Sequence, residues 1–178
     1  MHAGLRARQL VNLVNGSTLA GLGVAALGGA RVARSADGLL LGTSYRLPVP
    51  PAPAFCLGNV IVTRLDGLTP GLLRHEARHA TQFACCGGVL MVPLYLAAAA
   101  VSWALTGDFG ARNVFERRAG LADGGYTDKP LRPTIQGLSL QRVRGAVSGS
   151  GRLAGAAGRP LPWPASAGRD GSTASPCR

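Results

Sequence analysis

Between Phe83 and Gly107 the chain runs 25 residues without a charged side chain, through VLMVPLYLAAAAVSWAL. A stretch this long and this apolar ordinarily reads as a membrane-crossing helix. As one straight α-helix it measures about 37 Å. It lies between His79 and Glu116, which are 37 residues apart. If those two residues act together, a single crossing is forbidden, because it would leave them on opposite sides of a bilayer.

The reason to connect them begins in TPGLLRHEARHATQF, Thr69 to Phe83, which contains His75-Glu76-Ala77-Arg78-His79. Two histidines four residues apart on a helix share one face, one turn apart, so both rings can reach one ion. Zinc takes nitrogen, sulfur or oxygen ligands tetrahedrally and keeps one position open where it is catalytic. It lowers the pKa of a bound water toward neutrality, and a Glu beside the first His is placed to take the proton. His75 and His79 are therefore the candidate ligands and Glu76 the candidate general base. The whole chain holds three His and two Glu. Composition alone would produce this pattern roughly once in two thousand such chains. The competing reading is an ordinary helix with two surface histidines.

A catalytic site needs a third protein ligand. The only other Glu is Glu116, in RNVFERRAG, with Asp108 and Asp123 as the next carboxylates. Cys85 or Cys86 would have to bend back along the helix that carries His79. Convergence of Glu116 with the histidines requires a hairpin. A helix over about 70–86, opened by Thr69 as N-cap and Pro70 in the first turn, stops at Gly87-Gly88. A second helix over about 89–105 returns beside it, with Pro93 tolerated in its first turn. A link near 106–110 then leads into a helix near 111–122 carrying Glu116. Tyr95 and Trp103 read as core or interface residues.

HEARHATQ, the apolar segment and RNVFERRAG together resemble the small bacterial zinc metallopeptidases of gluzincin type, with H-E-x-x-H-x-x-Q and a later N-x-F-E-x-x-A. The resemblance covers about residues 40–127. It implies His75, His79 and Glu116 as zinc ligands, Glu76 as catalytic residue, and a peptide or protein substrate. Gln82 and Asn113 match its polar positions, and Phe115 and Ala119 its packing positions.

The expected fold class is α+β, a small zincin-like domain. An apolar helical segment, one helix over 8–29 or two shorter ones, fills residues 1–37. The metal-binding domain spans 38–130, with two or three short antiparallel strands drawn from GLLLGTSYRLP and FCLGNVIVTRL. FCLGNVIVTRL is the candidate edge for an extended substrate. Residues 131–178 hold 8 Gly, 5 Pro and 6 Ser, a composition expected to be disordered.

The net charge of +11 is divided: 12 Lys/Arg and 7 Asp/Glu up to residue 130, then 7 Arg and one Asp. No recognition-helix, zinc-finger or RNA-binding pattern accompanies it, so specific nucleic acid is not an expected partner. Attraction to anionic lipid fits better. Cys56, Cys85, Cys86 and Cys177 form no C-x-x-C pair or disulfide framework. Asn12, Asn15, Ser17 and Thr18 interrupt the N-terminal apolar run, which reads as an uncleaved helix rather than a signal peptide. The expected location is cytoplasmic or membrane-associated. The alternative function is a noncatalytic membrane-associated or regulatory protein that keeps a zincin-like scaffold.

Overall fold

A computed structural model of the chain describes residues 3–133. The order of elements is α1 (Ala3–Val14), α2 (Ser17–Leu27), β1 (Arg31–Arg34), β2 (Leu40–Thr43), β3 (Ala54–Leu57), β4 (Val60–Thr63), α3 (Pro70–Cys85), α4 (Met91–Thr106) and α5 (Val114–Ala119). The N-terminal apolar run resolves into two helices bent by 71°. At the bend, the Asn15 side-chain oxygen accepts hydrogen bonds from the Ser17 amide (3.1 Å) and hydroxyl (2.7 Å).

The fold is α+β, and the sheet differs from expectation in two respects. It has four strands rather than two or three, in the order β1-β2-β4-β3. It is mixed: β1/β2 and β3/β4 are antiparallel, but β2/β4 is parallel. The stretch from 44 to 53, with four prolines, explains the parallel pair. It carries the chain past the position beside β2, so the β3–β4 hairpin arrives with its second strand innermost. Strand β1 escapes a pattern search because all four residues of Arg-Val-Ala-Arg are exposed.

Val60–Thr63 is buried throughout, as expected of an inner strand covered on both faces. Val60 and Val62 pack toward Ala25 of α2 and Tyr45; Ile61 packs with Cys56, Leu39 and Ala80 of α3. Side chains alternate across a strand, so β4 joins the two helices through the sheet. Each fully buried aliphatic side chain contributes about 1.5–3 kcal/mol.

The described part of the segment taken above as residues 1–37 packs into the same compact unit as residues 38–130. Strand β1 belongs to the sheet, and buried Asn12 donates to the Asn59 side chain (3.1 Å) and the Ala80 carbonyl (2.8 Å), tying α1 to the hairpin and to α3. Of the tail expected to be disordered, residues 134–178 lie outside the described residues.

Helix α3 begins as its sequence dictates, with the Thr69 hydroxyl accepting from the Leu72 amide at 3.2 Å. Gly87 and Gly88 both adopt positive φ, 74° and 72°, a conformation open to glycine at little cost, and the chain reverses there. Tyr95, eight residues after Gly87, comes back level with His79, eight before it; their ring centroids are 6.2 Å apart. Helix α5 is only six residues, not the twelve of 111–122. Asp108 Oδ1 accepts from the amides of Gly110 and Ala111 and holds that stretch in a turn. Asn113 caps the helix by accepting from the Phe115 amide at 3.0 Å, and Gly120 ends it.

One helix among the described residues, Gly88–Thr106, is long and apolar enough to cross a membrane by length and composition. A core helix of a soluble protein passes the same criterion.

Candidate metal centre

Helix α3 turns its ionisable face inward. His75, Glu76 and His79 are buried, and so is Glu116 on α5. His75 Nε2 lies 3.1 Å from His79 Nε2 and 3.1 Å from Glu116 Oε2, and His79 Nε2 lies 3.7 Å from Glu116 Oε1. Tetrahedral zinc ligands at about 2.0–2.1 Å stand about 3.3 Å from one another. The separations lie near that edge length, with the carboxylate meeting the two rings through different oxygens. The hairpin thus brings together the three residues that the sequence marked as ligands, across the uncharged run.

The outer nitrogens decide where the imidazole protons sit. His75 Nδ1 is 3.0 Å from the Gly120 carbonyl, which can only accept, so Nδ1–H is the donor. His79 Nδ1 is 2.8 Å from Gln82 Oε1. The Gln82 amide cannot be flipped, because its nitrogen donates to the Phe115 carbonyl at 3.0 Å. His79 therefore also holds its proton on Nδ1. Both Nε2 lone pairs then point at each other and at a carboxylate, in a buried pocket. Such an arrangement repels itself unless a proton or a metal ion lies between. Glu76 Oε2 is buried without a hydrogen-bond partner, and Glu116 Oε2 meets only the His75 ring nitrogen, which fits oxygens directed at an ion or its bound water. This buried His-His-Glu group could hold a metal ion.

Tyr95 donates to Glu116 Oε1 at 2.5 Å and so orients the carboxylate. Arg78 donates to the Ala119 carbonyl at 2.6 Å, and Arg74 and Arg78 both pair with Asp123 at 3.0 Å. That clamp positions the Gly120 carbonyl against His75. A Cβ on Gly124 would stand 2.4 Å from the His75 ring, so glycine is required for the close approach. Asp123 and Asp108, the alternative third ligands, are committed to the arginines and to the 108–111 turn.

The two site carboxylates are pushed in opposite directions. Burial alone would raise Glu116, but when the rings also carry a proton on Nε2, hydrogen bonds from His75, His79 and Tyr95 hold it down at about 2. Burial raises Glu76, and the nearby histidines offset this only in part. Burial would lower His75, yet its hydrogen bond with Glu116, reinforced by the charge of both carboxylates, raises it. A permanently ionised Glu116 suits a ligand. A Glu76 whose proton affinity is raised suits a group that gains and loses a proton.

A cleft of about 520 Å³ reaches the site. Its walls are nearly all apolar: Val24 and Leu27 of α2, Leu47 and Val49, β3, and Met91 and Leu96 of α4. All four residues of β3 line it. A strand seen face-on would show alternate residues only, so the cleft meets the unpaired edge of β3.

Sequence reasoning missed Tyr95, whose role here is to hold Glu116 rather than to fill core or interface. The available signal was its equal spacing with His79 about Gly87. It also missed Gly120, Gly124 and Tyr126, whose ring centroid is 6.3 Å from that of His75. No family model, curated protein or solved structure matches the chain.

Proposed function

We propose that the chain is a zinc-dependent peptidase with a zincin-like site. The observation that supports it most is the meeting of two Nε2 atoms and the Glu116 carboxylate, with both Nδ1 atoms committed to acceptors outside the site. Two nitrogens and one oxygen suit zinc better than calcium or magnesium, which prefer all-oxygen shells. Three protein ligands leave a tetrahedral position for water or substrate. When bound, the metal would polarise a carbonyl and acidify water. Glu76 takes up the proton released as water attacks and passes it to the leaving amine. The apolar cleft walls exclude bulk water, and the open edge of β3 can pair with an extended peptide backbone. A free carboxylate at Glu76 favours catalysis over a purely structural ion, which needs no base.

Elemental analysis and a peptide-library assay test this reading. One zinc per chain is expected, with most of the affinity lost in His79→Ala and in Glu116→Ala. Glu76→Gln is expected to retain zinc and lose hydrolysis, since an amide cannot accept the proton. Stoichiometric zinc in His79→Ala would overturn the ligand set. Equal turnover by Glu76→Gln would remove Glu76 from the chemistry.

A further inference from the structure

Helix α4 touches the rest of the protein along one narrow stripe, Met91–Tyr95–Ala99–Ser102, and only 22 % of its apolar window is buried. Leu90, Leu94, Leu96, Val101, Trp103 and Phe109 are each at least 47 % exposed. A helix that is apolar all round belongs in a protein core or in lipid, and this one is not in the core. A helix from a second copy of the chain would cover a face about 100° wide and leave the remainder in water. Lipid covers all of it.

The C-terminal end of α4 carries the features of a membrane–water boundary. Trp103 stacks with Phe109 at 6.3 Å, and the Arg132 guanidinium lies 4.9 Å over the Trp103 ring. Arg112, Arg117 and Lys129 gather nearby, held among the described residues by two carboxylates, Asp108 and Asp128. Tryptophan is enriched at lipid headgroup level, and surplus cations there favour anionic lipid. At the other end Asn15 packs against Gly88. Val14 and Leu90, beside that contact, are also exposed. The chain path argues against a full crossing. Tyr95, in the second turn of α4, bonds Glu116, so a span would carry the metal site inside the bilayer.

We propose that α4 lies in the plane of an anionic membrane surface, with the Trp103–Phe109–Arg132 cluster at the headgroups and Leu94 and Val101 in the acyl layer. Met91 and Leu96 of the same helix line the cleft, so the docked site takes apolar segments lying at the bilayer surface. The docking itself does not depend on the peptidase reading.

The full chain carrying Trp163→Phe makes Trp103 the only tryptophan. With phosphatidylglycerol vesicles, its emission is expected to shift to the blue and to be quenched by brominated acyl chains. Arg132→Ala should weaken the partition about fivefold, from roughly 1 kcal/mol per cation at an anionic surface. Leu94→Glu and Val101→Glu should abolish it while the circular dichroism spectrum and melting temperature stay near those of the parent. Val32→Glu, on the strand at the opposite edge of the sheet, serves as control and should bind as the parent does. Any of four results would overturn the proposal: unchanged emission with vesicles, full binding by Leu94→Glu, equal affinity for phosphatidylcholine, or a lipid-free dimer that buries Trp103.

Discussion

Gln82 determines which nitrogen of His79 is free for a metal. Its amide donates to the Phe115 carbonyl and presents oxygen to His79 Nδ1. Removing such a partner typically lowers metal affinity by about 10–100-fold. Gln82→Ala is accordingly expected to weaken zinc by about that factor, measured by chelator competition, without unfolding the protein. Unchanged affinity would show that the tautomer is set by something else. Gly124→Ala attacks the other histidine: its methyl group would overlap the His75 ring. Here too zinc affinity should fall while far-ultraviolet circular dichroism is preserved. The HExxH pattern and the scarcity of Glu made the ligands themselves readable from sequence. Their supports were not readable, because a carbonyl such as that of Gly120 has no side-chain signature and Gly124 is one glycine among 26.

Elements place these residues through a few inner contacts. Ile61, at the centre of β4, is fully buried and joins α3 to the sheet. Ile61→Ala should cost about 2–5 kcal/mol by lost burial and a residual cavity. Exposed Val32→Ala should stay within about 0.5 kcal/mol of the parent. Urea titrations of the two variants provide the comparison, and equal midpoints would mean that β4 is not the core strand. Helix α3 was legible almost to the residue because Thr69, Pro70 and Gly87 are local signals. The sheet was legible only as short β-rich runs. Parallel pairing of β2 with β4 depends on where a proline-rich connection lays the chain, and β1 owes its place to backbone pairing rather than to buried side chains. The short α5 came from Asp108 and Asn113, whose side chains bond nearby amides and delay the helix.

At the scale of the whole molecule, folding and metal binding share the same ionisable groups and should respond to pH in separate windows. Glu116 has a folded pKa near 2 against an ordinary 4.5. A depressed carboxylate stabilises the metal-free fold above its unfolded value, and that contribution is lost as pH falls from 4.5 toward 2. His75 is raised above its ordinary 6.5. Its contribution to the metal-free fold is complete below 6.5 and is lost as pH rises through the folded value. Metal binding has the opposite dependence on His75, because a ligand nitrogen must be unprotonated. Zinc affinity should therefore begin to fall on acidification at a pH above 6.5, by about tenfold per pH unit for each proton that must leave. The fold should persist well below that point. Chelator competition and circular dichroism over the same pH series will separate the two processes. In Glu116→Gln the onset of affinity loss should move to lower pH, since the neutral amide no longer raises His75, while overall affinity drops for want of a ligand. Loss of affinity and loss of fold at one common pH, with no shift in Glu116→Gln, would break the link between His75, Glu116 and the metal.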